Sequence, residues 1–295
     1  MKETVFTGMA TAMVTPMTPR GVDYDTLAKF IEFQIESGIH ALVAVGTTGE
    51  SATLEPEERR EVIRFTIERV KGRIPVIAGT GTNNTRHVLD FTKSACDYGA
   101  DAVLVVTPYY NKASQSGLVE HFTQVADASE KPVILYNVPS RTGCNLLPET
   151  VEKLSYHPRI VGLKDACGNM AQTVETIARC GDRIHIYSGE DGLTVPMMAM
   201  GAKGCISVLT NVVPAGGAEM AEKALSGDFA GAAALQCKYL PLIDCLFSQV
   251  NPIPAKAAVA AMGFGEEYLR MPLTKMEPAF REKLFAEMRK LGVIQ

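Results

Sequence analysis

The chain has 295 residues, 46% of them hydrophobic and 21% charged, and a formal net charge of −4 at pH 7. This composition suits a globular protein with a large core, and it lacks the basic excess that binds nucleic acid or an anionic membrane. No apolar run is long enough to span a membrane, and residues 1–4 lack the layout of a signal peptide, so we expect a cytoplasmic protein.

Apolar segments of strand length alternate with amphipathic segments through most of the chain. The predicted strands are 12–16, 41–45, 75–78, 102–107, 132–136, 160–164, 184–188 and 205–208. The predicted helices between them are 25–38, 55–71, 84–98, 117–128, 148–154, 171–178 and 195–200. Such alternation indicates parallel βαβ units. Eight strands predict a closed (β/α)8 barrel (a TIM barrel) rather than an open sheet.

Three further segments beyond the eighth strand have helical patterns: 229–247, 253–262 and 277–291. Prolines at 252 and 254 separate the first two, because proline suits a helix start better than its interior. We expect residues 1–225 to form the barrel and residues 226–295 to form a C-terminal helical extension packed against it.

The predicted strand 160–164 is an apolar run that ends in a lysine, and Asp165 follows at once. Strands of a parallel sheet are buried on both faces, and burial disfavours the charged form of an amine. Lys164 would then keep some neutral, nucleophilic amine, as an imine-forming lysine requires. On this segment alone, the alternative is that Lys164 turns outward to solvent or pairs with Asp165.

Polar residues also stand at the other predicted strand ends, where active sites of such barrels form. They are Thr47, Thr48, Gly79, Thr80, Tyr109, Tyr110, Tyr136, Arg141, Ser188, Gly189 and Glu190. Each has an ordinary structural explanation, such as a core tyrosine, a turn threonine or a surface arginine. Their convergence on one mouth leaves the structural interpretation and an imine-forming site evenly balanced.

Metal, phosphate and redox chemistry have little support in the residue spacing. Five histidines, at positions 40, 87, 121, 157 and 185, form no pair with metal-ligand spacing. Glu190 and Asp191 would repel a phosphate from the turn 188–192. Seven cysteines, at positions 96, 144, 167, 180, 205, 237 and 245, include no Cys-x-x-Cys pair. We predict reduced cysteines, no metal and no cofactor.

Three segments together resemble the dihydrodipicolinate synthase (4-hydroxy-tetrahydrodipicolinate synthase) family: 46–51 (GTTGES), 136–143 (YNVPSRTG) and 162–165 (GLKD). The likeness runs from Phe6 to the C-terminal helices. The Gly-Thr-Thr-Gly-Glu part of the first segment and the Tyr-x-x-Pro part of the second are shared with the wider pyruvate-dependent class I aldolases, which include N-acetylneuraminate lyase. The segments 107–110 and 140–143 are more specific to the synthases.

The resemblance implies a condensation of pyruvate with L-aspartate 4-semialdehyde, an early step of diaminopimelate and lysine biosynthesis. Lys164 would form an imine with pyruvate, and Tyr136 would move protons through Thr47 to Tyr110. In this family that last tyrosine reaches into the site of a neighbouring subunit, which implies a homo-oligomer, with a dimer of dimers expected.

The resemblance also implies the binding residues. Thr48 would hold the pyruvate carboxylate, and Arg141 would receive the carboxylate of aspartate semialdehyde, as its bidentate fork allows. The backbone at Gly189 and Ile206 would line the pocket. No position in this constellation departs from the family pattern.

A possible allosteric lysine site is implied at the dimer interface, and here the sequence does depart from part of the family. The matching positions are Ser51, Ala52, Pro56, Arg59, Asn83, His87 and Tyr109. Lysine-sensitive members carry a glutamate at the position of His87, and a neutral or cationic imidazole cannot replace its charge. Arg59 adds a positive charge that would repel the ligand amine. We therefore predict weak inhibition by lysine.

Two other functions remain open at the level of the sequence. The first is another pyruvate-dependent aldolase, such as an N-acetylneuraminate or 2-keto-3-deoxy sugar-acid lyase. It is disfavoured by Arg141, because a polyol chain needs hydroxyl and amide partners rather than a cation. The second is a barrel that binds a carboxylate without catalysis. Such a protein would need neither Lys164 nor the tyrosine pair.

Overall fold

The structure, a computed structural model, describes residues 2–295, so Met1 of the predicted barrel domain lies outside it. Eight parallel strands form a closed barrel, which confirms the predicted (β/α)8 class. They are β1 (Gly8–Ala12), β4 (Ala41–Ala44), β5 (Val76–Gly79), β6 (Ala102–Val106), β7 (Val133–Asn137), β8 (Ile160–Asp165), β9 (His185–Ser188) and β10 (Gly204–Ser207). Their order around the barrel is β1-β10-β9-β8-β7-β6-β5-β4. Two short strands, β2 (Met17–Thr18) and β3 (Gly21–Val22), pair antiparallel outside the barrel.

The barrel strands are buried on both faces, as expected of a parallel sheet covered by helices. Inward-facing side chains fill the interior with an apolar cluster that includes Val43, Ile77, Leu104, Ile134 and Ile206. Outward-facing side chains pack against the helices in a second and larger cluster. The barrel therefore has a packed interior, and open space for a ligand is left at its mouth.

Nine helices follow the barrel strands. They are α1 (Tyr24–Glu36), α2 (Pro56–Val70), α3 (Thr85–Asp97), α4 (Gln115–Ala128), α5 (Pro139–Thr142), α6 (Pro148–Ser155), α7 (Met170–Cys180), α8 (Thr194–Ala199) and α9 (Pro214–Leu225). All seven predicted barrel helices are present, with ends shifted by a few residues. Their starts have recognisable caps, such as Asn84 before α3 and Asn169 before α7, whose side chains accept backbone N–H bonds.

The first predicted strand, 12–16, is wrong, because β1 lies at Gly8–Ala12 and ends where that prediction begins. After Ala12 the chain leaves the sheet, and the backbone N–H of Val14 donates to Asn211 Oδ1 (3.0 Å). The true strand was missed because it is poor in large apolar residues. Thr11 of this strand is fully buried and hydrogen-bonds Gln34 Oε1 (2.6 Å) and Thr210 Oγ1 (2.9 Å).

Helices α5 and α9 were not predicted. The start of α9 carries Gly216 and Gly217, where small residues obscure the apolar period. Their size is required by close packing: a Cβ on Gly216 would lie 2.0 Å from the Tyr239 hydroxyl, and one on Gly217 would lie 2.5 Å from Thr210 Cγ2. Close approach of neighbouring elements thus explains the residues that hid this helix.

The three predicted C-terminal helices are present as α10 (Phe229–Leu246), α11 (Ile253–Ala261) and α12 (Pro278–Lys290). Helix α10 packs against α8, α9 and α12. A buried ion pair joins α11 to the loop after β4, with Lys256 Nζ 2.5 Å from Glu50 Oε1. The predicted domain boundary between residues 225 and 226 stays a prediction. Within residues 2–295, none of the helices has the length and apolar character needed to cross a membrane.

Candidate active site

Lys164 lies in β8, within the barrel wall, and is 6% exposed. Its Cα pairs with Tyr136 of β7 on one side and Tyr187 of β9 on the other. The amine nitrogen lies 4.2 Å from the centre of the Tyr136 ring. The interpretation that Lys164 turns outward to solvent is therefore wrong.

Asp165 does not pair with Lys164 either. Successive side chains of a strand point to opposite faces, and Asp165 is buried on the face away from the barrel interior, toward α7. Its carboxylate accepts hydrogen bonds from the Cys167 backbone N–H (3.1 Å) and the Thr173 hydroxyl (2.7 Å). Among residues 2–295, Lys164 has no ion-pair partner within 4.0 Å.

Gly189 follows β9 and passes close to the lysine. Its N–H donates to the Asp165 carbonyl (2.8 Å), which holds the backbone beside β8. A Cβ at this position would lie 3.1 Å from Lys164 Cε and 2.7 Å from Ala166 Cβ. Only glycine fits without displacing these neighbours, so this residue keeps the space beside the lysine side chain open.

A cavity of about 780 Å³ opens at the C-terminal ends of the strands. Most of the predicted site residues line it: Thr47, Thr48, Tyr136, Arg141, Lys164 and Gly189, together with Glu190 and Asn251. Ile206 does not line it; its side chain is 1% exposed and belongs to the apolar barrel interior. Six of the eight residues predicted for catalysis and substrate binding thus converge on one cavity.

Tyr110 is the predicted catalytic residue that lies apart from this cavity. It follows β6 with a positive φ of 71°, and its side chain is 88% exposed. No hydrogen bond joins Thr47 to Tyr136 or to Tyr110 in the described part of the chain. A Tyr136–Thr47–Tyr110 relay is therefore not assembled within one chain.

An asparagine from the C-terminal extension connects the two predicted carboxylate-binding residues. Asn251 Nδ2 donates to Thr48 Oγ1 (2.9 Å), and the Asn251 carbonyl accepts from Arg141 Nη2 (3.2 Å). Thr48 is 2% exposed and Asn251 5%, whereas Arg141 on the short helix α5 is exposed. From the sequence, Asn251 served only as a turn signal before Pro252 and as part of the family likeness, so its place in the site was missed.

Three ionisable side chains line the cavity: the basic groups of Lys164 and Arg141 and the carboxyl group of Glu190. Burial, followed by the nearby Asp191, raises the pKa of Glu190, although Lys164 and Arg141 oppose that shift. Asp191 faces away from the cavity toward β10 and accepts from the Ser207 hydroxyl (2.5 Å) and the Val208 N–H (2.9 Å). This balance favours a small carboxylate as the ligand.

A smaller cavity of about 180 Å³ brings together the residues predicted for lysine binding. Its lining includes Ser51, Ala52, Pro56, Arg59, Asn83, His87 and Tyr109. Arg59 is 6% exposed, and its guanidinium carbon lies 4.0 Å from the centre of the Phe91 ring. Burial lowers the pKa of Arg59 to about 10, so the side chain stays charged near pH 7.

A third cavity, of about 270 Å³, lies between the first two and is lined mostly by apolar atoms. Thr47, Tyr109, Arg141, Asn251 and Leu273 are among its lining residues. It adjoins the main cavity through Thr47, Arg141 and Asn251, which line both.

All seven cysteines are free thiols. Four of them, Cys96, Cys144, Cys180 and Cys205, are buried. Within residues 2–295, no group of three or more His, Cys, Asp or Glu side chains is arranged to hold a metal ion.

Comparison with known proteins places the chain among a set of related enzymes. The sequence model of the dihydrodipicolinate synthetase family matches residues 5–291. The 4-hydroxy-tetrahydrodipicolinate synthase of Alkaliphilus oremlandii is 49% identical over 290 residues, which cover 98% of this chain and 100% of that protein. The enzyme of the same name from Lachnoclostridium phytofermentans is 50% identical over 292 residues, covering 98% and 99%.

Solved structures agree with the sequence relatives. The chloride-inhibited dihydrodipicolinate synthase from Acinetobacter baumannii, complexed with pyruvate, is 43% identical to this chain. It superposes with a TM-score of 0.96 over 99% of this chain and 100% of that one.

Proposed function

The chain belongs to the dihydrodipicolinate synthetase family, which confirms the resemblance, and from this we propose that it condenses pyruvate with L-aspartate 4-semialdehyde. The product is 4-hydroxy-tetrahydrodipicolinate, formed early in diaminopimelate and lysine biosynthesis. The chain is a lyase of the class I aldolase type. We assign the imine to Lys164.

The surroundings of Lys164 carry this proposal. The amine is buried against the Tyr136 ring, lacks an ion-pair partner among the described residues, and opens on a cavity that also contains Thr48 and Arg141. A site that only bound a carboxylate would need a hydroxyl or a guanidinium, but no unpaired amine beside a phenol. The arrangement therefore supports chemistry on a keto acid.

In the first step the Lys164 amine attacks the carbonyl carbon of pyruvate, and water leaves as the imine forms. Tyr136 then takes a proton from the methyl group, and the electron pair of that C–H bond moves toward the imine nitrogen to give an enamine. The enamine carbon attacks the aldehyde carbon of the second substrate. A new C–C bond forms, and the aldehyde oxygen takes the proton that Tyr136 holds. The amino group of the semialdehyde then attacks the imine carbon and closes the ring, while the bond from that carbon to the Lys164 nitrogen breaks and restores the free amine.

Arg141 supports an acidic aldehyde as the second substrate. Its guanidinium lines the cavity, and among residues 2–295 only one hydrogen bond, to the Asn251 carbonyl, occupies its donors. A bidentate fork matches a carboxylate, whereas a polyol chain of a sugar acid has no group that requires a cation.

The exposed Tyr110 supports a homo-oligomer. A tyrosine that is 88% exposed and has a left-handed backbone is costly for an isolated chain, and the apolar cavity at Thr47 has room for a ring. We assign the Tyr110 of a second subunit to that cavity, where it would complete the proton relay through Thr47. A dimer is the unit of catalysis in this proposal, and a dimer of dimers its assembled form. We place the enzyme in the cytoplasm, in keeping with its seven free thiols.

Trapping with borohydride tests the proposed function. Pyruvate plus borohydride should add a lactyl-sized mass to the peptide that contains Lys164, because reduction fixes the imine. Lys256 is the matched internal control: it is also buried, but it is paired with Glu50 and should remain unmodified. An active enzyme with no adduct, or with its adduct on another lysine, contradicts the assignment. Faster turnover of a sialic acid than of aspartate semialdehyde would favour the lyase alternative.

A further inference from the structure

Asn251 touches both residues that are assigned to substrate carboxylates, although it lies 203 residues from one of them in sequence and 110 from the other. It stands in the turn between α10 and α11, outside the barrel that supplies the rest of the cavity. Its side chain is nearly buried and lines the main cavity. One residue of the extension thus contacts two binding residues of the barrel.

The direction of the contact with Thr48 decides what that hydroxyl can do. The amide nitrogen of Asn251 only donates, so Thr48 Oγ1 must accept. Thr48 makes no other side-chain hydrogen bond in residues 2–295, and its own proton is therefore free for a ligand. A carboxylate only accepts, so a hydroxyl held in this way presents the group that pyruvate needs.

Arg141 is oriented by the same residue through the backbone. Exposed arginine side chains have many rotamers, and ordering one at binding weakens the affinity for the ligand. The contact from Nη2 to the Asn251 carbonyl uses one of five N–H donors and leaves the others for a carboxylate. This contact survives any change to the Asn251 side chain.

Asn251 also has a buried acceptor without a partner. Its Oδ1 is shielded from solvent and accepts no hydrogen bond within the described chain. Buried polar atoms of folded proteins are nearly always paired. An unpaired one in the lining of a substrate cavity marks a residue of the binding site rather than a packing residue.

We propose that Asn251 is a positioning residue for substrate binding, whose amide fixes Thr48 as a hydrogen-bond donor to the pyruvate carboxylate. The proposal rests on the proposed function. It makes the C-terminal extension part of the substrate site, because the barrel alone lacks the group that sets the direction of the Thr48 hydroxyl. Asn251 acts through Thr48 and takes no part in bond making.

Two substitutions separate this role from packing. Asn251→Ala removes the donor and should raise the KM for pyruvate about 3- to 10-fold, the effect of one hydrogen bond. The KM for aspartate semialdehyde and kcat should change less than about 2-fold, because the Arg141 contact is to the backbone. Asn251→Asp keeps the shape of the side chain, but a carboxylate can only accept hydrogen bonds. The Thr48 hydroxyl should then donate its proton to the aspartate instead of to pyruvate, and the KM for pyruvate should rise more than in Asn251→Ala.

A packing role predicts the opposite order, since aspartate fills the space of asparagine and alanine does not. Thr48→Val supplies the second readout: in that background Asn251→Ala should have no further effect on the KM for pyruvate. Asn169→Ala, which removes the asparagine cap of α7 outside the cavity, is the matched control and should leave both KM values unchanged.

Borohydride trapping distinguishes a failure of this proposal from a failure of the proposed function. If the wild-type protein forms no adduct on Lys164 with pyruvate and borohydride, the proposed function fails. If it forms one and Asn251→Ala is trapped with the wild-type dependence on pyruvate concentration, the positioning role of Asn251 fails while the function stands. Should Asn251→Ala not fold, Asn251→Asp and its trapping curve decide the question alone.

Discussion

The two buried lysines of residues 2–295 differ in their surroundings. Lys164, at the mouth of the barrel, is 6% exposed, and Lys256, in the extension, is 3% exposed. Lys256 Nζ lies 2.5 Å from Glu50 Oε1 and donates to the Tyr268 carbonyl (2.6 Å). Lys164 contacts the face of an aromatic ring and open space.

This difference separates a structural cation from a reactive one. Burying a charge is costly unless a partner of opposite charge compensates. Burial lowers the pKa of Lys256, but Glu50 opposes that shift and the pair holds α11 against the loop after β4. Among residues 2–295, Lys164 has no carboxylate within ion-pair distance, so its position is explained by the chemistry that an unpaired amine can perform.

The largest expected effect comes from removing the unpaired lysine. Lys164→Ala should lower kcat by about four orders of magnitude or more, because no other group can form the imine. Its free energy of unfolding in urea should equal or exceed that of the wild type, since an amine buried without an ion-pair partner is lost. If Lys164→Ala keeps a tenth of the wild-type activity, Lys164 is not the residue that forms the imine.

Removing the paired lysine should instead affect stability. Lys256→Ala leaves Glu50 buried without its partner and should cost about 3–5 kcal/mol in the free energy of unfolding. The double variant Lys256→Met with Glu50→Gln should recover at least half of that loss, because it leaves no isolated charge. Borohydride trapping of Lys164 should persist in the folded protein. A loss below about 1 kcal/mol would mean that the pair is not important for stability.

Arg141 extends the comparison to an exposed cation at the same mouth. Arg141→Ala should raise the KM for aspartate semialdehyde about 10- to 150-fold, the equivalent of a charged hydrogen bond worth roughly 1.5–3 kcal/mol. The KM for pyruvate should change far less. Steady-state kinetics with each substrate varied in turn measures both, and equal changes would assign Arg141 a structural role.

The smallest expected change in reaction rate concerns lysine inhibition and Arg59, a buried arginine that stacks on Phe91 in the 180 Å³ cavity. Its charge, together with the lack of an anion at His87, should weaken lysine binding there by about 2–4 kcal/mol relative to a site with a glutamate. Lysine at millimolar concentration should therefore barely change initial rates. Half-inhibition below about a millimolar would show that this charge argument has chosen the wrong residues.

Much of the architecture follows from local patterns in the sequence. Seven of the eight barrel strands and ten of the twelve helices were predicted near their observed bounds, because burial on both faces gives apolar runs and burial on one face gives a helical period. Of the three exceptions, β1, α5 and α9, the first and the last use threonine and glycine where distant elements pack closely. Contacts between distant elements leave no periodic pattern in the local sequence, so they could not be predicted from it.

The properties of the candidate site also fall into two groups, those that follow from the sequence and those that follow only from packing. The sequence by itself determined the residues at the ends of the strands, since every barrel strand brings its C-terminal end to one mouth. Only the tertiary structure decided that Lys164 is unpaired while Lys256 is paired, that Tyr110 points away from its own cavity, and that Asn251 holds Thr48. These properties depend on contacts between residues up to 206 positions apart, which the packing of the extension on the barrel creates.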